Sequence, residues 1–91
     1  MEISIRVSFV HSLKEKRMIV RSITQRLKNK FNLSVGETSE QDNHKIIGIG
    51  ITGVCGSDAI ADSTKEKIID FIENNCDGEI IDIFDEVLDY N

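Results

Sequence analysis

The chain predicts an α+β domain in the order β-α-β-β-α-β, and three observations carry that expectation. Three short stretches place apolar residues at every second position, as half-buried strands do, and a fourth apolar stretch follows near the end of the chain. Two longer stretches repeat their apolar residues every three or four positions, as amphipathic helices do. The interval between the two middle strands, Glu37 to His44, is polar and short, which makes those strands antiparallel neighbours. With two right-handed crossovers, the compact solution is a ferredoxin-like sandwich: a four-stranded antiparallel sheet in the order 4-1-3-2 with both helices on one face.

In the first strand, Ile3, Ile5, Val7 and Phe9 alternate with Glu2, Ser4, Arg6 and Ser8. Ser12 begins the first helix, and Glu15 three residues on completes a capping box. Leu13, Val20, Ile23 and Leu27 keep to one helical face, with Ile19 at its margin, and the helix runs to about Asn29. Phe31, Leu33 and Val35 alternate as the second strand, and the polar run from Glu37 to His44 reads as a loop. Ile47, Ile49 and Ile51 form the third strand, with Gly48 and Gly50 between them. Gly56 breaks it, and Ser57 or Asp58 caps the second helix. Ile60, Thr64, Ile68, Phe71 and Ile72 supply the apolar face of that helix, and Asn74 to Gly78 end it. A last strand runs from about Glu79 to Leu88. With neither linker nor repeat, residues 1–91 read as a single domain.

A hydrophobic share of 40% with 30% charged residues places the chain among ordinary soluble domains. No apolar run approaches the roughly 20 residues that span a bilayer, and the alternating start MEISIRVSFV does not read as a signal peptide. The expected location is cytoplasmic. Cys55 and Cys76 fall at opposite ends of the second helix, roughly 27 Å apart, so they are expected as free thiols.

Charge is partitioned along the chain. Residues 11–31 carry seven basic side chains against Glu15 alone, inside a protein of net charge −5. Residues 57–91 carry eleven acids against Lys65 and Lys67. At about 100° per residue, Lys14, Arg17, Arg21 and Lys28 fall in a stripe roughly 60° wide beside the apolar face of the first helix. One reading of the stripe is contact with phosphates of a nucleic acid. The other is pairing with Asp58, Asp62, Glu66 and Asp70, which recur every fourth residue on the second helix, within one subunit or across a dimer. Lys16 stands apart because it projects onto the apolar face. It either snorkels past the sheet edge or pairs with an acid such as Glu37, and pairing is the expectation.

These residues also carry a resemblance. The string HSLKEKR at a strand-to-helix junction, then Phe31-Asn32-Leu33-Ser34-Val35 with Glu37, then Gln41-Asp42, resembles the YlxP-like family of small bacterial proteins, a domain of unknown function. The likeness covers about residues 3 to 75, and its known fold is ferredoxin-like. Here Phe9-Val10-His11 runs straight into the helix where the family usually has a Pro-Gly link, and Asn43-His44 stand where an aromatic usually follows the Gln-Asp pair. The family's genes often lie beside those for translation initiation and ribosome maturation. The resemblance therefore implies a link to ribosome or RNA biology.

Other motifs carry less chemistry. Gly48-x-Gly50-x-x-Gly53 matches the spacing of a dinucleotide fingerprint, but its first two glycines alternate inside a strand instead of opening a helix. On the uncovered sheet face, those glycines suggest a flat patch that a second subunit could cover. That face lacks the aromatics on which an RNA-recognition motif stacks bases, so RNA contact falls to the first helix. His44 near Glu40 and Asp42 reads as a solvated loop rather than a metal site, and no base accompanies Cys55. Asp82, Asp85, Glu86 and Asp89 read as the solvent side of an edge strand. No catalytic group, metal or cofactor is expected. The leading expectation is a non-enzymatic accessory protein touching ribosomal RNA or a ribosome-associated protein through Lys14, Arg17, Arg21 and Lys28. The alternatives are a protein-interaction or homodimerising module, and an ACT-like sensor of small ligands.

Overall fold

A computed structural model describes residues 1–88. Its elements are β1 (Glu2–Arg6), α1 (Leu13–Lys30), β2 (Ser34–Ser39), β3 (Ile46–Thr52), α2 (Asp58–Asn75) and β4 (Glu79–Phe84). The four strands form one sheet in the order β2-β3-β1-β4, with every neighbouring pair antiparallel. This is the ferredoxin-like arrangement, with both helices against one face. No helix among the described residues is long and apolar enough to cross a membrane.

Both helices start on a serine whose hydroxyl accepts a hydrogen bond from the third helical amide. Ser12 Oγ accepts from Glu15 N, and Ser57 Oγ from Ile60 N, each at 3.2 Å. The Glu15 carboxylate reaches one residue further back than in the usual box and accepts from the His11 amide at 3.2 Å. Ser57 is therefore the cap of α2, and Asp58 sits in its first turn, where a negative charge favours the helix dipole.

The core is formed by Ile3, Ile5 and Val7 of the first strand and its exit, Ile47, Ile49 and Ile51 of β3, and the inner faces of the helices. Val20, Ile23 and Leu27 supply α1, while Ala61, Ile68 and Ile72 are the buried residues of α2. Ile60, expected on that inner face, is 54% exposed. Ala61, Ile68 and Ile72 lie within roughly 40° of one another around the axis, and Ile60 falls to one side of them.

Three strand boundaries differ from the sequence expectation. β1 ends at Arg6: the Val7 amide still donates to Lys45 O at 2.7 Å, and a turn closed by Val10 N on Val7 O then carries the chain away. Val10 then takes the core position, and Phe9 stands half-exposed. The stretch expected as β2 begins too early. The Phe31 amide still bonds to Leu27 O and ends α1, so β2 starts at Ser34 and runs through Glu37 to Ser39, inside the expected loop. β4 stops at Phe84, which pairs with Glu2 at the start of β1, and residues 85–88 have no ladder partner. Of the acids expected beyond that point, Asp89 lies outside the described residues.

A bulge in β2 accounts for the glycines of β3. The register shifts between Glu37 and Ser39, and the Thr38 and Ser39 side chains lie over Gly50 and Gly48. A methyl group at Gly48 would overlap the Ser39 side chain and carbonyl, and one at Gly50 the Thr38 methyl. These glycines admit the chain's own neighbouring strand. The flat patch expected there for a second subunit is thus partly covered from within, and Gly48 is buried.

Candidate nucleic-acid interface

Helix α1 divides into three flanks. Its inner face carries Lys16, Val20, Ile23 and Leu27. One side, with Met18, Ile19, Ser22 and Arg26, lines a small cleft with Asn75, Cys76 and Asp77 at the end of α2. At about 100° per residue, Arg17, Lys28, Arg21 and Lys14 follow one another around the opposite side, away from α2 and over the β2 edge. All four are exposed.

None of these four cations has a carboxylate within 4.0 Å among the described residues. The ion pairs there are Arg6–Glu79 at 3.7 Å, Lys16–Glu37 at 3.1 Å, and Lys65 with Asp62 at 3.9 Å and Asp85 at 3.3 Å. The acidic ridge of α2 cannot reach the stripe. Lys65 contacts Asp85 just past β4, which places that side of α2 over the β4 edge. Asp58, Asp62 and Glu66 follow on the same side, with Asp70 further out. Phe71, on the other side of α2, meets Phe31 edge-on with ring centroids 6.0 Å apart. The basic and acidic ridges thus occupy opposite outer flanks of the domain. Pairing of the two ridges within one subunit, one of the sequence readings, is absent from the described residues.

Lys16 has a different setting. It is 1% exposed, and its ammonium faces the Glu37 carboxylate. It also donates to the Asn43 carbonyl at 2.8 Å and to the Glu40 carbonyl. Glu40, with φ of 60°, turns the chain in the left-handed region at the tip of the β2–β3 connection. Glu37 Oε2 is buried and has no aligned hydrogen-bond donor, so it is held by the charge of Lys16. A second lysine, Lys45, donates to the Ser8 carbonyl at 2.8 Å and to that of Val10. Together the two ammonium groups tie the hairpin tip to the first turn of α1 and to the β1–α1 connection. Sequence reasoning missed Lys45, because backbone carbonyl partners leave no pattern in the sequence.

The uncovered sheet face carries Glu2, Ser4 and Arg6 on β1 and Ile46, Gly48, Gly50 and Thr52 on β3. Among the described residues, the aromatic on this face is Phe84 on the edge strand β4, opposite Glu2. The central strands offer no ring for stacking a base. Beyond β3, a cleft of about 530 Å³ opens at the start of α2, with Ile51, Ala61 and Ile68 on its floor and Asp58 at its mouth. That carboxylate occupies the place where a helix start would receive a phosphate. Cys55 and Cys76 are free thiols, and no three His, Cys, Asp or Glu side chains converge as metal ligands among the described residues.

Comparison with known proteins places the chain among relatives without an assigned activity. The model of the family described as "Protein of unknown function (DUF503)" matches residues 1–84. The chain is also 35% identical over 63 residues to "Uncharacterized protein YlxP" of Bacillus subtilis (strain 168), a span covering 69% of this chain and 68% of that protein.

Proposed function

This protein belongs to the DUF503 family, and we propose that it is a cytoplasmic, non-enzymatic accessory protein that contacts ribosomal RNA through Lys14, Arg17, Arg21 and Lys28. One observation carries the reading. Four exposed cations share one flank of α1 with no acid in reach among the described residues, in a protein whose net charge is −5. Arg17 and Arg21, one turn apart, repel each other by a few tenths of a kcal/mol until something anionic neutralises them. A phosphate backbone does so without requiring a base-reading surface, which suits a sheet without central aromatics. Ribosomal RNA is the polyanion implied by the likeness to YlxP-like proteins.

A filter-binding titration with a ribosomal RNA fragment tests the proposal. Four phosphate contacts give a slope of about −3 in log affinity against log salt, or roughly fiftyfold weaker binding when salt rises fourfold. Reversing all four charges to glutamate abolishes the salt-sensitive component. Equal, weak binding by the wild type and the reversed protein overturns the reading.

Opposite charge on the two outer flanks favours a second reading, head-to-tail self-association of unlike surfaces. Such a contact does not close on itself and grows with concentration. A monomer by light scattering at high concentration and low salt removes it.

A further inference from the structure

Strand β4 is an edge of the sheet, and α2 leaves its outer side open. Ile83 lies opposite Ile3 in the register and so on the helix-covered face, yet it is 39% exposed where Ile3 is 1% exposed. The contact of Lys65 with Asp85 shows which flank of α2 overlooks this edge. At about 100° per residue, Ile69, Asp62, Glu73 and Glu66 lie on that flank next to Lys65. Ile69 is half-buried and the three acids are exposed. Asp62 has only the 3.9 Å approach of Lys65, and neither Glu66 nor Glu73 has a cation within 4.0 Å among the described residues. An apolar strip, Ile69 and Ile83, is therefore bordered by three carboxylates, of which Asp62 is weakly paired with Lys65 and Glu66 and Glu73 have no cation within 4.0 Å among the described residues.

We propose that this flank docks a cationic, partly apolar segment of another protein, with Lys or Arg side chains on Asp62, Glu66 and Glu73 and an apolar side chain against Ile83. Charge complementarity selects this occupant. Asp62 and Glu66 are one turn apart and repel each other, and a cationic partner removes that repulsion. The apolar strip supplies a desolvated centre, and the acids at its rim steer and orient the partner. A second copy fits less well, since the Lys14–Lys28 stripe holds no apolar side chain to cover Ile83. RNA is repelled by the same carboxylates. Ile81 is an extra residue in the ladder between Ile80 and Asp82, and this bulge interrupts the edge along which another strand would add. Docking is thus through side chains.

Calorimetric titration of the whole protein with three blocked decapeptides tests the proposal: one mixing lysine with leucine, one all lysine, and one mixing glutamate with leucine. The lysine–leucine peptide binds about tenfold more tightly than the all-lysine peptide, because only it covers the apolar strip. Ile83→Ser removes that difference, and the triple variant Asp62→Asn, Glu66→Gln, Glu73→Gln weakens the lysine–leucine peptide about tenfold. The triple variant changes only surface groups, so the test survives if Ile83→Ser disturbs the fold. Binding of ribosomal RNA is retained in both variants. Equal affinity for the two lysine peptides overturns the proposal, as does equal affinity for the glutamate–leucine peptide. Salt-sensitive self-association that either variant abolishes also overturns it, by assigning the flank to a second copy.

Discussion

Lys16 shows how much one side chain can depend on its surroundings. Its charge is withdrawn from water, and three oxygens from a segment more than twenty residues away replace the lost hydration. Removing one partner of a buried ion pair leaves the other uncompensated. Lys16→Met is expected to cost about 3 kcal/mol in a urea unfolding curve, at the low end for buried pairs because Glu37 is partly exposed. Adding Glu37→Leu recovers part of that loss, since the orphaned carboxylate goes with it. A double mutant no more stable than Lys16→Met alone would show that the carbonyl contacts, and not the ion pair, hold the lysine.

At the scale of elements, β2 and β3 explain each other. The bulge at Thr38 brings two successive β2 side chains over β3, which leaves no room for a Cβ at Gly48 or Gly50. At Gly36, one strand away, a methyl group would meet nothing within 4 Å. Gly48→Ala is therefore expected to destabilise by about 1–3 kcal/mol through overpacking, while Gly36→Ala is near neutral or slightly stabilising through its effect on the unfolded chain. Thermal unfolding of the two variants side by side checks this. A similar loss from both would place the cost in strand backbone, independent of the bulge. The order of elements and the Ser12 cap were legible in the sequence, and the second cap was narrowed to Ser57 or Asp58, because periodicity and capping chemistry are local. The bounds of β1, β2 and β4 were not, because a strand extends only as far as a neighbour offers hydrogen bonds. Glu2 ends β4 from across the sheet, and nothing near Phe84 in the chain announces it.

Across the whole molecule, the two helices turn their charged ridges away from each other. The domain is therefore electrically polarised, with a basic flank over β2 and an acidic flank over β4. The acidic flank still acts on an RNA bound at the basic one, through a field that salt screens within about 10 Å at 0.1 M. Neutralising Asp58, Asp62 and Glu66 to their amides is expected to tighten RNA binding about two- to threefold at low salt. Filter binding at two ionic strengths checks it. An increase that persists undiminished at high salt would point to a changed contact surface instead of a long-range field.

The sequence by itself determined the order of elements, the cap of the first helix, the sheet order and the presence of a basic ridge on one helix and an acidic ridge on the other. It also singled out Lys16 as a charge on an apolar face and Glu37 as a candidate partner. Which flank each ridge faces was decided only in the tertiary structure. A helical wheel ranks residues around one axis, but it holds no information on how two axes are rolled against a shared sheet. Burial sets that roll: Val20, Ile23 and Leu27 on α1 and Ala61, Ile68 and Ile72 on α2 turn toward the strands, and Phe31 against Phe71 closes the gap between the helices. The charges follow the apolar faces, and so they end on opposite edges of the domain.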